Sequence, residues 1–278
     1  MTFAQTVLLG AIAGFTIFIG LPIGRLKVIS EKARTFLSMI SVGIILFLLI
    51  DIFSHIVEPI VAALKGEGGI ANYPEAGLLI GVLLIGFGAG LLGLILFEQR
   101  FLAHSAQTHS AQAHGASPHG AGAGVKNTLP PARLALMIAI GLGLHNFSEG
   151  LAIGQSAGRG DIALAVLLIV GFGLHNATEG FGIVGPMAGQ MPSWRYLGLI
   201  GLIGGGPTFL GTVLGYGFTS NVMSVLFLAL AVGALVYVLG ELLYANHRPG
   251  LKFVGGLGLS FGLILAFLTD MVLVIAGA

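Results

Sequence analysis

Long apolar runs, broken by short polar, charged or Gly/Pro-containing stretches, succeed one another along the whole chain. About 20 apolar residues carry an α-helix across a bilayer. Eight runs reach that length: 3–24, 35–57, 77–97, 134–156, 162–186, 196–217, 222–244 and 253–275. The pattern predicts an all-α integral membrane protein with eight transmembrane helices, since helices satisfy every backbone group within the span. The fourth and fifth are joined by a short turn around Gly158-Arg159-Gly160-Asp161, which makes them antiparallel neighbours. The first run has no Lys or Arg before Arg25, so it lacks the basic flank of a signal peptide and is expected to be a retained helix.

Composition agrees with this. Hydrophobic residues make up 56% of the 278 and charged residues only 8%, against about 25% charged in a soluble domain. The mean hydropathy is +1.01. The 46 glycines suit close helix packing in a membrane. With no cysteine, disulfides and thiolate metal sites are excluded. No nucleotide-binding loop is present and the +1 net charge gives no reason to expect nucleic acid; no organic cofactor is expected.

The loops after the odd-numbered runs hold Arg25, Lys27, Lys32, Arg34, Arg100, Lys126, Arg133, Arg195, Arg248 and Lys252; the other side holds only Lys65 and Arg159. By the positive-inside rule both termini lie outside the cytoplasm, and the stretch 98–133 lies inside. That inner stretch carries His104, His109, His114 and His119 at five-residue intervals among small residues. It is expected to be a disordered loop within a single transmembrane domain, 1–278. Two readings of it stand side by side, a flexible tract that gathers metal ions and a tolerated linker.

The residues with chemistry are duplicated. Gly141-Leu142-Gly143-Leu144-His145-Asn146-Phe147-Ser148-Glu149-Gly150 recurs 30 residues on as Gly171-Phe172-Gly173-Leu174-His175-Asn176-Ala177-Thr178-Glu179-Gly180. Each copy sets a His and a Glu at i and i+4, on one helix face. The copies fall at the midpoints of the fourth and fifth runs, so two imidazoles, two carboxylates and two amides can meet at one depth. An isolated ionised group there costs on the order of 3 kcal/mol. Two carboxylates also repel, and a divalent cation relieves both penalties. Nitrogen and oxygen ligands without sulfur suit Zn²⁺, Fe²⁺ or Mn²⁺. A single His or Glu on such a helix has blander readings, a satisfied structural residue or a proton relay. A duplicated pair at one depth favours ion binding. Asn146 and Asn176 either add carbonyl oxygens or fix the ligands. Asp51 and His55, i and i+4 on the second run, lie in the outer half with Asp270 near the outer end of the eighth. They read either as an outer access station for cations or as polar groups at wet helix ends.

His145-Asn146-Phe147-Ser148-Glu149-Gly150 and its copy resemble the paired His-Asn-x-Pro-Glu-Gly signatures of the ZIP family of metal transporters. The eight spans, the His-bearing inner loop and the outer termini resemble that family too. The resemblance implies uptake of divalent metal into the cytoplasm, with zinc the leading expectation and iron, manganese or cadmium as others. It implies a cell-membrane (inner or plasma membrane) location. It also implies a 3+2+3 arrangement in which spans 1–3 and 6–8 form an inverted repeat, and homodimers are common in the family. An exit station at Glu241 and His247 is a further implication; spacing alone leaves Glu241 equally open to an interfacial role. Two departures stand out. Ser148 and Thr178 replace the motif prolines, so any kink there has to come from Gly and Ser/Thr. On the sixth run Gly206 precedes Pro207 where family members often carry a Glu, and no acid occurs from Met191 to Gly240. One metal held by His145, Glu149, His175 and Glu179 is therefore expected rather than two, with Asn146 and Asn176 next. The expected mechanism is alternating access. The rivals are a metal-selective channel and a proton-coupled carrier of another solute. No His-Glu-x-x-His motif supports a metalloprotease, so no enzyme activity is expected.

Overall fold

The computed structural model describes residues 1–27, 30–66, 70–110, 129–160, 162–218, 220–247 and 249–276. They form helices and short 3₁₀ turns. The first rod is α1 (Phe3–Phe15) and α2 (Ile17–Gly20), continued by a 3₁₀ turn over Leu21–Arg25. It starts on a capping box between Thr2 and Gln5 and breaks at Thr16, whose Oγ1 donates to the Ala13 carbonyl at 2.6 Å. The others are α3 (Glu31–Lys65), α4 (Tyr73–Ser110), α5 (Pro131–Gly158), α6 (Ile162–Val184), α7 (Trp194–Gly215), α8 (Asn221–Ala245) and α9 (Lys252–Ala276). Ser30, Ser193 and Ser220 cap α3, α7 and α8, each accepting from a backbone N–H three residues on. Among the described residues, seven rods are long and apolar enough to cross a membrane. The 23 residues of α6 give it the same reach of about 30 Å.

Two expected boundaries move. The second run was to end at 57, before Glu58-Pro59, yet α3 carries Pro59 inside it and ends at Lys65, with Gly66 at φ +69° as its stop. Proline removes one N–H, and a flanked helix survives that. The loop expected from residue 98 is also corrected: α4 stays helical to Ser110, so His104 and His109 lie on helical backbone. Its polar tail from Glu98 to Ser110 has no Pro and no Gly to stop it. His114 and His119 lie outside the described residues. Both motif helices run without a break through His145–Gly150 and His175–Gly180, with Ser148 and Thr178 where the family motif has proline.

Glycines set how the rods pack, and the contacts recur in register. A Cβ on Gly150 of α5 would strike the Thr208 carbonyl of α7; a Cβ on Gly180 of α6 would strike the Ile17 carbonyl of α2. Gly14 and Gly205 each face the other's carbonyl. Positions 17 and 208, and 14 and 205, are both 191 apart. The remaining helices repeat the device. Gly90 of α4 meets the Leu230 carbonyl of α8 and Gly233 meets that of Phe87, while Gly262 of α9 meets the Ile40 carbonyl of α3 and Gly43 meets that of Leu259. The α3–α9 pair is thus the α4–α8 pair over again, with α3 displaced by 190 and α4 by 172. α1, α2, α5, α6 and α7 surround the duplicated motif, and α3, α4, α8 and α9 form the other group. Ile44, Ile45, Leu48, Ile138, Leu142, Ile183 and Leu235 fill the space between them, all at most 1% exposed.

Valine at Gly180 would therefore overpack a backbone contact. Gly180→Val should cost roughly 2 kcal/mol or more and lower the unfolding temperature in detergent, whereas Gly77→Val, where a Cβ meets nothing within 4 Å, should leave it close to wild type.

Candidate metal centre

The i, i+4 spacing brings each His and Glu of a copy together, and the antiparallel α5 and α6 bring the copies together. His145 Nε2 lies 3.4 Å from Glu149 Oε1 and 3.9 Å from Glu179 Oε1. His175 Nε2 lies 3.7 Å from Glu179 Oε1. The two imidazole centroids are 6.2 Å apart and their planes are inclined by 65°. All six motif side chains are buried, none above 5% exposed.

These separations decide what the cluster suits. His145 Nε2 has no hydrogen-bond partner in the protein. Ligand atoms about 2.0–2.1 Å from one tetrahedral Zn²⁺ lie about 3.4 Å from each other along a tetrahedral edge, which falls at the short end of the 3.4–3.9 Å observed. One ligand atom each from His145, Glu149 and His175 falls within 4.8 Å of the other two. Glu179 is outside that mutual set but touches both imidazoles. Several more buried atoms lack a protein partner: His145 Nδ1, His175 Nδ1, Glu149 Oε2, Glu179 Oε1 and both Asn Oδ1 atoms. Buried polar atoms are rarely left so, and a cation would satisfy the acceptors among them.

The asparagines act through their amide nitrogens. Asn146 Nδ2 donates to Glu179 Oε2 at 2.8 Å and to the Gly204 carbonyl at 3.0 Å, tying α5, α6 and α7 together. Asn176 Nδ2 donates to the Ala13 carbonyl at 3.1 Å, tying α6 to the end of α1 beside its break. Gly204 and Ala13 are again 191 apart, so the two links are equivalents. Of the two sequence readings for the asparagines, fixing the ligands is the one with bonds behind it. Gly206, by contrast, adds no side chain, and its surroundings are open.

A cavity of about 230 Å³ joins this cluster to one end of the molecule; its lining includes His145, Glu149, His175, Asp51, His55 and Asp270. The three access candidates thus share one space with the motif, and His55 stands 3.7 Å from Asp51 at the exposed rim. Ser148, Gln155 and Ser224 line it too. Sequence reading took Ser148 only as the replacement of the motif proline and passed over Gln155, although continuing the His145 face one and three turns along α5 reaches both. Glu241 and His247 lie outside this cavity. Glu98 has both Glu241 and Arg133 as neighbours, a grouping that was missed because the three lie on helices far apart in sequence. A second cavity, about 420 Å³, is lined by Arg34, Ser38, Leu134 and Asn246 among others, and none of the six motif residues reaches it. Leu134 and His145 are eleven residues apart on α5, about 16 Å. Ile138 and Leu142, within that interval of α5, are buried in the same apolar core as Ile183, Ile44 and Leu48.

A model of the ZIP zinc transporter family matches residues 98–270, more than half of the 278. The chain belongs to the ZIP family. A search of curated proteins found no match. ZIP membership makes this a multi-pass membrane protein and implies a transporter of divalent metal ions, with the buried His145–Glu149–His175 group as its metal-capable cluster among the described residues.

Removing one amide exposes the cost of the network. Asn146→Ala leaves one buried oxygen of Glu179 without its donor and removes the tie to the Gly204 carbonyl of α7. It should destabilise the protein by about 1–3 kcal/mol, read as a lower unfolding temperature in detergent without metal.

Proposed function

We propose that this ZIP protein carries a divalent cation, zinc foremost, into the cytoplasm by alternating access. The ion is held by His145, Glu149, His175 and Glu179, and Asn146 and Asn176 orient that set. The observation that carries the reading is the one-sided cavity: it reaches His145, Glu149 and His175 from the Asp51–His55–Asp270 end, and none of the six motif residues lines the second cavity at Arg34 and Asn246. A channel needs a path through, and a one-sided cavity supports a carrier in one of its two states. With the basic loops on the cytoplasmic side, the cavity faces outward, Asp51, His55 and Asp270 form the access station, and Glu241 and His247 stand on the exit side. The recurring register supports eight spans in a 3+2+3 order, halves inverted in the membrane and both termini outside. His104, His109, His114 and His119 would gather the released metal on the inner side, and the chain works as a homodimer. With one carboxylate fewer than relatives that place a Glu beside the span-six proline, the site takes one ion.

Purified protein in liposomes loaded with a zinc-sensitive dye tests this. Wild type should take up Zn²⁺ saturably, and Glu149→Ala and His175→Ala should each reduce uptake at least about a hundredfold while remaining inserted and folded. Zn²⁺ flux unchanged in both variants would overturn the assignment. Protons compete with metal for imidazole and carboxylate, so the KM for Zn²⁺ should rise as external pH falls from about 7.5 to about 5.5; a flat KM would count against these ligands.

A further inference from the structure

The two copies of the motif differ in what their hydroxyl residues do. A serine or threonine inside a helix ordinarily turns its hydroxyl back onto a carbonyl three or four residues earlier. Thr178 does this: its Oγ1 donates to the His175 carbonyl at 2.7 Å. Ser148, the equivalent residue of α5, does not. Its Oγ is buried without any protein partner, the residue is 8% exposed, and it lines the cavity that holds His145, Glu149 and His175. Three residues after His145 and next to Glu149, it lies on the ligand-bearing face of the helix. A proline here could offer no such group, so the substitution adds an oxygen to the cavity wall.

We propose that Ser148 is a specificity-determining contact for the transported ion, its Oγ supplying a neutral oxygen donor on the cavity side of the His145–Glu149 edge. This rests on the reading of that cavity as a metal path. Thr178, its hydroxyl committed to backbone, supplies none, so the contact exists on one side of the ion only. A hard, uncharged oxygen favours Zn²⁺ and Mn²⁺ over the softer Cd²⁺ without adding to the charge of two carboxylates.

The chain has no cysteine, so single thiols can be introduced without background. In the liposome assay Ser148→Cys, which exchanges hard oxygen for soft sulfur, should raise the ratio of kcat/KM for Cd²⁺ over Zn²⁺ by about tenfold, and Ser148→Ala should raise the KM for Zn²⁺ several-fold. Thr178→Cys should leave the ratio within about twofold of wild type. The Ser148→Cys thiol should also react with a membrane-impermeant methanethiosulfonate, and saturating Zn²⁺ should slow that reaction. A Cd²⁺/Zn²⁺ ratio unmoved in Ser148→Cys, an equal shift in Thr178→Cys, or labelling indifferent to Zn²⁺ would overturn the assignment. If wild type itself moves no divalent metal, the transport reading falls first; if wild type transports and only the Ser148 results fail, the Ser148 contact alone falls.

Discussion

Two buried carboxylates held against two imidazoles at one depth are what the rest of this molecule must accommodate. Glu149 and Glu179 lie in the middle of helices that are otherwise almost wholly apolar. An ionised group there costs several kcal/mol unless something answers it. The protein answers in part. Asn146 reaches one carboxylate and the imidazoles stand near both, but buried donors and acceptors remain over. A fold selected for stability alone would have apolar side chains at these positions. Retaining a partly satisfied polar cluster makes sense if its complement arrives from outside and leaves again.

The close helix packing follows from the same constraint. Asn146 and Asn176 find backbone carbonyls on α7 and α1 only because those helices come near enough. Glycines make that approach possible: Gly150 and Gly211 between α5 and α7, Gly20 and Gly180 between the first rod and α6. In a bilayer no hydrophobic force drives helices together, so backbone contact and buried hydrogen bonds take its place. Glycine content and the polar cluster are thus two sides of one requirement.

Much of this was legible in the sequence because it rests on short-range periodicity. Runs of about 20 apolar residues located the rods, and the i, i+4 spacing put each His beside its own Glu. The 30-residue duplication placed His145 and His175 together. What failed was also local. Pro59 looked like a stop and is not, since one missing N–H does not end a helix supported on both sides. The polar residues after 97 looked like loop, but without Pro or Gly they continue α4. Long-range neighbours carried less signal. Depth in the membrane was enough to group Asp51, His55 and Asp270 as an access station, but nothing in the one-dimensional pattern brings Glu241 and Arg133 to Glu98.

The recurring glycine register has a consequence for the two ends of the molecule. The offset of 190 that maps α3 onto α8 sends Asp51 to Glu241, and the offset of 172 that maps α4 onto α9 sends Glu98 to Asp270. Carboxylate answers carboxylate at both ends. The same arithmetic sends Ser224, on the lining of the open cavity, to Arg34, on the lining of the other. Arg133 beside Glu98 has Ala163 as its counterpart, which carries no charge at all. The symmetry is therefore one of shape and not of charge: at the open cavity Asp51 and Asp270 stand with His55, whereas at the opposite end Glu98 has the guanidinium of Arg133 beside it.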